Sequence, residues 1–396
     1  MHNTPGRCTA GRAARRSSPR VAVGEPAVER RARVAVIGFQ GFGNVGDEAI
    51  LVGIERLVGE FVQVTTVFAG DRQSVVGFGA ASRRPTFHHL PTPRALRLLA
   101  RNDVLLMSGG GLMNDYWPNV IPRYLAWVIA GRIAGCRVVW VGAGVGPIRR
   151  RTHRALAGLA FAASRLVTVR DEASRHWVRR CSRRTHVEVV PDPAFFAVDP
   201  PTRANPGGPP GADRATGSIG VILRAPAPGS EHAEEALLEA IAGLAADRAS
   251  SGVRVELITM HDEVDGPYVA RALDRLRARA AGSVAVVSLP LGPDAAVRHL
   301  SAYTQLVTVR LHGVILGALA GVPAVSIRYD EKVAAVANQL GLGDLCLPLE
   351  GLSAAGIGSA LRAAAEPGRQ TALAARLAGI RGRRDEFRGL LREALA

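Results

Sequence analysis

The sequence predicts an α/β chain of two doubly wound, Rossmann-like domains facing a cleft. Three observations predict it. Short runs of β-branched and apolar residues alternate with helical periodicity along nearly the whole chain, the pattern of parallel sheets with crossover helices. A stretch rich in Pro, Gly and Ala, from Asp199-Pro200-Pro201 through Gly217, breaks that alternation near the middle and carries no apolar cluster. At 396 residues and 47% hydrophobic composition, the chain can bury two ordinary cores. The expected organisation is an Arg-rich arm over 1–32, an N-terminal domain over 33–198, a linker over 199–217 and a C-terminal domain over 218–396.

In the first half, strands are expected at 33–38, 62–69, 103–108, 137–142, 165–169 and 187–191, with helices near 47–60, 120–134, 153–163 and 171–180. Val34-Ala35-Val36-Ile37 reads as a buried parallel strand, and Ile50, Leu51, Ile54 and Leu57 fall on one face of the helix that follows. Between them lies Gly38-Phe39-Gln40-Gly41-Phe42-Gly43-Asn44-Val45-Gly46-Asp47-Glu48, a glycine-rich turn into a helix start. Its glycine spacing misses G-x-G-x-x-G, and no Gly-Lys-Ser/Thr follows, so it is neither a dinucleotide fingerprint nor a P-loop. In the second half, strands are expected near 218–223, 253–259, 284–288, 305–309 and 323–327, separated by Ala- and Leu-rich helices. Beyond Gly351 only helical signal remains, and those helices either cap the second sheet or cross back to the first domain.

Composition narrows the function classes. The net charge is +16, of which residues 1–33 supply +6 through eight arginines against Glu25 and Glu29. The rest is dispersed, without interleaved aromatics or a reader module, so no nucleic-acid partner is expected. The arm lacks an apolar secretory core and reads as a disordered tail or as residues ahead of the true start. No apolar run reaches the roughly 18 residues of a membrane span. Cys8, Cys136, Cys181 and Cys346 form no C-x-x-C pair, which argues against zinc and a disulfide framework and fits a reducing cytoplasm. Of 50 basic residues only Lys332 is lysine. A compact ammonium does what a guanidinium does not, which makes Lys332 a site candidate.

Parallel sheets bind ligands beyond the carboxyl ends of their strands. There stand Ser108-Gly109-Gly110-Gly111 with Asn114, Gly142-Ala143-Gly144, Arg170, Asp192 between two prolines, and Arg310-Leu311-His312 at a strand-to-helix junction. Arg170 is suited to clamp a carboxylate or phosphate; its simpler role is an ion pair with Asp171, Glu172 or another acid. Asp192 orients a substrate hydroxyl or the arginine, or caps its turn. Asp47 and Asn44 suit sugar hydroxyls better than phosphate, or else Asp47 caps its own helix. Arg310 with His312 makes an acid/base unit or a structural pair at a helix start.

Gly43-Asn44-Val45-Gly46-Asp47-Glu48, Ser108-Gly109-Gly110-Gly111, Thr168-Val169-Arg170-Asp171-Glu172-Ala173-Ser174, Asp192-Pro193-Ala194-Phe195, Arg310-Leu311-His312 and Tyr329-Asp330-Glu331-Lys332-Val333 occur in this order. In order and spacing the chain resembles the polysaccharide pyruvyl transferase family over about residues 33–345. The resemblance implies a fold similar to B-type glycosyltransferases and transfer of pyruvate from phosphoenolpyruvate to a sugar, as a cyclic ketal, with release of phosphate. It implies no cofactor and no metal. Phosphoenolpyruvate falls to Arg170, Arg310, Leu311 and Lys332, and proton chemistry, including protonation of the methylene carbon, to His312 or its neighbourhood. The acceptor, a sugar or lipid-linked oligosaccharide, falls to Asn44, Asp47, Gly110, Asn114 and Asp192. A cytoplasmic location follows, with peripheral contact at the inner face of the membrane left open. Two alternatives stand: a glycosyltransferase with a nucleotide-sugar donor, in which Glu331 reads the ribose, and a non-catalytic carbohydrate-binding protein on the same fold.

Overall fold

In a computed structural model, described here for residues 1–2, 31–70, 75–78, 83, 85–86, 90–199, 218–225, 231–249, 251–279 and 284–396, two parallel sheets carry the chain. Residues 3–30 of the expected arm and 200–217 of the expected linker lie outside the described residues. The first sheet contains β1 (Ala32–Ile37), β2 (Val62–Phe68), β3 (Val104–Met107), β4 (Gly110–Met113), β5 (Arg137–Val145), β6 (Leu166–Val169) and β7 (Val187–Val189), in the order β2-β1-β3-β5-β6-β7, with β4 pairing only β5. Its helices are α1 (Val45–Val58), α2 (Pro93–Leu99), α3 (Val120–Ile133), α4 (Arg151–Ala162) and α5 (Glu172–Cys181), and a 3-10 turn spans Pro193–Phe196.

The second sheet contains β8 (Ile219–Ile222), β9 (Val255–Thr259), β10 (Val284–Ser288), β11 (Gln305–Thr308), β12 (Ala324–Arg328) and β13 (Cys346–Pro348), in the order β10-β9-β8-β11-β12-β13. Between them run α6 (Glu231–Ala249), α7 (Asp262–Arg279), α8 (Pro293–Leu300), α9 (Leu311–Leu319) and α10 (Glu331–Gln339). Helices α11 (Ala354–Ala364), α12 (Arg369–Gly382) and α13 (Arg384–Leu395) end the chain. Every pairing within the two sheets is parallel.

Both faces of the first sheet are buried, which explains why its strands read as continuous apolar runs. Along β1 the side chains alternate: Ala35 and Ile37 join one core with α3 and α4, while Val34 and Val36 join another with α1. That second core is continuous with the core of the second half. Of the two destinations open to the final helices, α13 takes the return to the first half. Phe387 stacks edge-on against Phe196 at 6.3 Å. Arg384 donates to the Arg56 carbonyl at 3.0 Å, and Arg388 pairs with Glu60.

Several elements depart from the expected pattern, among them β13, a three-residue strand that follows the last one expected. The 108–115 segment is not a free turn, because 110–113 forms β4 beside β5, and β5 runs to Val145 through Gly142 and Gly144. The register of β5 against β6 shifts between Trp140 and Ala143, the bulge that a glycine inside a strand commonly marks. Helix α2 starts on Thr92, which caps Ala95 N at 3.2 Å, with Pro93 in the first turn. Seven residues are too few to leave a periodic signature.

Helix α1 lies against the 3-10 turn so closely that a Cβ on Gly53 would stand 1.9 Å from the Pro193 carbonyl oxygen. Gly53→Ala is therefore expected to cost about 1–3 kcal/mol through overpacking, seen as a lowered melting temperature; an unchanged one would show that α1 can shift freely.

Candidate active site

The carboxyl ends of both sheets face one cleft, bridged at its centre. Val45 N donates to the Met260 carbonyl at 2.9 Å, and Tyr116 Oη to Asp330 at 3.2 Å. The Lys332 ammonium donates to the Gly146 carbonyl.

On the first half, α1 begins at Asn44, whose Oδ1 accepts from Gly46 N at 3.1 Å. The cap is thus Asn44 and not Asp47. Asn44 Nδ2 donates instead to Asp47 Oδ2 at 2.6 Å. Burial, reinforced by Glu48, pushes the Asp47 carboxyl up to about 7 against the pull of Arg310, Arg170 and Asn44. Gly110, at φ +97°, lies close against the Asp47 carboxyl: a Cβ there would stand 3.1 Å from Asp47 Oδ1. Glu48 is fully buried and holds Gly41 N and Val76 N, which fixes the glycine turn.

Arg170 follows β6 with its side chain 5% exposed. Its Nη1 donates to Asp192 Oδ2 at 2.8 Å, and its Nε lies 3.7 Å from Asp171 Oδ2. Burial works against its charge, while Asp192 and Asp171 more than restore it, raising the guanidinium's pKa. Asp192 also accepts from Ala194 N at 3.0 Å, so it both orients the arginine and caps the 3-10 turn. A Cβ on Gly144 would stand 2.9 Å from Arg170 Nη2. The glycines of β5 thus make room for a guanidinium.

On the second half, Arg310 precedes α9 and its Nη2 pairs with Asp265. Asp265, in the first turn of α7, is fully buried, and its Oδ1 accepts from Ala225 N at 2.9 Å. His312 occupies the first turn of α9 with its side chain 14% exposed. Its Nε2 stands 3.9 Å from Asp192 Oδ2 and takes no hydrogen bond. Burial lowers the imidazole pKa to about 4, with Arg170 and Arg310 adding to the effect and Asp192 opposing it. The ring packs onto α1, where a Cβ on Gly46 would come within 2.3 Å of Nδ1. Lys332 follows Asp330, the α10 cap. Burial and then Arg170 lower its pKa to about 8, which leaves it cationic at neutral pH.

The structure therefore gathers Asn44, Asp47, Gly110, Arg170, Asp192, Arg310, His312 and Lys332 around one cleft. Leu311 differs: its side chain is buried in the core, which leaves its backbone as the part nearest the site. Asn114 spends its amide on its own turn, donating to the Gly111 carbonyl at 2.8 Å and accepting from Tyr116 N. Three participants escaped the sequence reading. Asp265 lies inside a helical pattern far from Arg310 in sequence, with only the acidic first turn as a signal. Tyr116 has no signal at all, and nothing in the glycine-rich turn shows that Gly46 is required by the packing of His312. Among the described residues, no group of three or more His, Cys, Asp or Glu side chains is arranged to hold a metal ion, and no helix is long and apolar enough to cross a membrane.

Comparison with known proteins gives this arrangement a family. The model of the polysaccharide pyruvyl transferases matches residues 44–331, and the chain belongs to that family. No curated protein sequence matches it. Among solved structures it is similar to Anabaena HepE, in complex with UDP and glucose, at 14% identity and TM-score 0.60 over 92% of this chain and 99% of that one. It is also similar to the trehalose-6-phosphate synthase OtsA, at 13% identity and TM-score 0.59 over 92% and 99%. Staphylococcus aureus MnaA, solved with UDP, aligns at 13% identity and TM-score 0.54 over 86% and 90%. At these identities the likeness establishes the fold, that of the B-type glycosyltransferases.

Removing one partner of a buried ion pair leaves a charge uncompensated. Asp192→Ala is expected to cost about 3–5 kcal/mol in urea denaturation; a loss below about 1 kcal/mol would mean that Asp171 alone satisfies Arg170.

Proposed function

We propose that this chain transfers pyruvate from phosphoenolpyruvate to hydroxyls of a sugar in a cell-surface polysaccharide or its precursor, forming a ketal and releasing phosphate. The observation that carries the reading is the meeting of Arg170, Arg310, His312 and Lys332 in one cleft of a chain that belongs to the pyruvyl transferase family. Phosphoenolpyruvate is a small molecule with a phosphate and a carboxylate. Two guanidiniums and an ammonium supply more donors than Asp192, Asp265 and the Gly146 carbonyl consume.

The imidazole of His312 is neutral near pH 7, so its task is to take a proton from an attacking sugar hydroxyl. Asp192, close to its Nε2, steadies the imidazolium that forms. Asn44, Asp47, Gly110 and Asp192 line the acceptor side, with Asn44 offering both a donor and an acceptor to hydroxyls. The protein works in the cytoplasm, where phosphoenolpyruvate is available.

The glycosyltransferase alternative draws on HepE, which was solved with UDP and glucose. Calorimetric titration separates the two. Phosphoenolpyruvate is expected to bind, to raise the melting temperature as RT ln(1 + [L]/Kd), and to lose affinity in Arg310→Ala. His312→Ala is expected to keep that binding and lose about 10²–10⁴-fold in turnover. Binding of a uridine or guanosine diphosphate sugar, with no response to phosphoenolpyruvate, would overturn pyruvyl transfer.

A further inference from the structure

Ketal formation begins with a proton delivered to the methylene carbon of phosphoenolpyruvate, and a neutral His312 does not deliver it. Asp192, Asp265, Asp330, Tyr116 and Lys332 are each engaged. Asp192 holds Arg170, Asp265 holds Arg310, and Asp330 caps α10 while accepting from Tyr116. The Tyr116 phenol is pushed up to about 12 by burial and by Asp330. Lys332 donates to a backbone carbonyl.

Asp47 differs from all of these. Its Oδ2 is fixed by Asn44 at 2.6 Å, while its Oδ1 takes no hydrogen bond among the described residues and lies against Gly110, whose missing side chain is what gives it room. It stands in the fields of Arg170 and Arg310 from opposite halves, close to the helix turn that packs on His312. Among the buried nitrogens of this cluster, Nε of Arg170, Nε of Arg310 and Nε2 of His312 have no hydrogen-bond partner, and of the three only the imidazole nitrogen can take up a proton.

We propose that Asp47 is the proton donor to the methylene carbon of phosphoenolpyruvate, working as the acid opposite His312 as the base. The inference rests on the pyruvyl transfer reading and assigns Asp47 a chemical task beyond holding the acceptor. The proton of Asp47 passes to C3 as the C2=C3 electron pair forms the new C–H bond, leaving an oxocarbenium-like C2. The first sugar hydroxyl bonds to C2 and its proton goes to His312. The second hydroxyl bonds to C2 as the C2–O bond to phosphate breaks. Its proton restores Asp47, and the proton on His312 leaves with the phosphate.

The state of the carboxyl agrees. Burial and Glu48 on its own helix keep Asp47 near 7, against Arg310 of α9 and Arg170 beyond β6, with the Tyr124 phenol of α3 also within its field. The acid form of Asp47 and the neutral form of His312 coexist between about pH 4 and about pH 7. Activity per free enzyme is expected to fall as pH rises through that upper value.

The test follows phosphoenolpyruvate in D2O by proton NMR, alone and with methyl hexopyranosides bearing free 4- and 6-hydroxyls. Wild type is expected to wash deuterium into C3, either as exchange of the vinyl protons or as one deuterium in the ketal methyl. Asp47→Asn is expected to bind phosphoenolpyruvate calorimetrically as wild type does and to lose deuterium uptake by about 10²–10⁴-fold, with Asp47→Glu recovering part of it and keeping the alkaline decline. Uptake in Asp47→Asn within a few-fold of wild type, or a raised acceptor KM at unchanged kcat, would overturn the assignment while phosphoenolpyruvate binding stood. Failure of wild type to bind phosphoenolpyruvate would instead remove the reading beneath it.

Discussion

The buried pair of Arg170 and Asp192 is the constraint around which the site is arranged. A guanidinium so withdrawn from water needs an acid at contact distance, because the field of a remote one does not repay the desolvation. That need explains neighbouring residues on several elements. Gly144 is bare so that the guanidinium fits beside β5. Asp192 is held at the head of the 3-10 turn by Ala194 N, and the turn is held by α1 through the contact at Gly53. The same aspartate faces His312, so an ion pair in the first half decides what the imidazole of the second half meets.

The second half repeats the device with different parts. Arg310 also follows a strand and also spends one edge on a buried carboxylate, Asp265, which is itself anchored by Ala225 N. Two arginines balanced by two acids leave Lys332 as the surplus positive charge among these five groups. The cluster therefore presents donors in several directions with a modest net charge, which suits a compact anion better than an extended polyanion. The lone lysine of an arginine-rich chain points its ammonium at a backbone carbonyl across the cleft.

Much of this was legible in sequence because of how parallel sheets are wound. Alternation of apolar runs with helical periodicity locates most of the strands, and ligand-facing residues follow strand ends. Arg170, Asp192, Arg310 and His312 could thus be picked out with no knowledge of which strands adjoin. Elements that satisfy no periodicity were not legible. Strand β4 is four residues of glycine and apolar side chains, and β13 is three. Asp265 was hidden for a different reason: the partner of a buried cation is chosen by geometry across the fold, and α7 places it opposite a residue 45 positions away. Nor does a glycine-rich turn show its purpose in sequence: several of these glycines are absences of side chain that admit Arg170, Asp47 and His312.

The return of α13 to the first half has a consequence for how the molecule is made. Its hydrogen bond from Arg384 to Arg56 joins residues 328 positions apart, and Phe387 and Leu391 complete a core begun by α1. During synthesis the first sheet leaves the ribosome with that flank of α1 uncovered, and it stays uncovered until α13 emerges. Such long-range closure slows folding and lengthens the exposure of apolar surface to aggregation. Helix α13 is thus the seal of the first half, added long after the strands it covers.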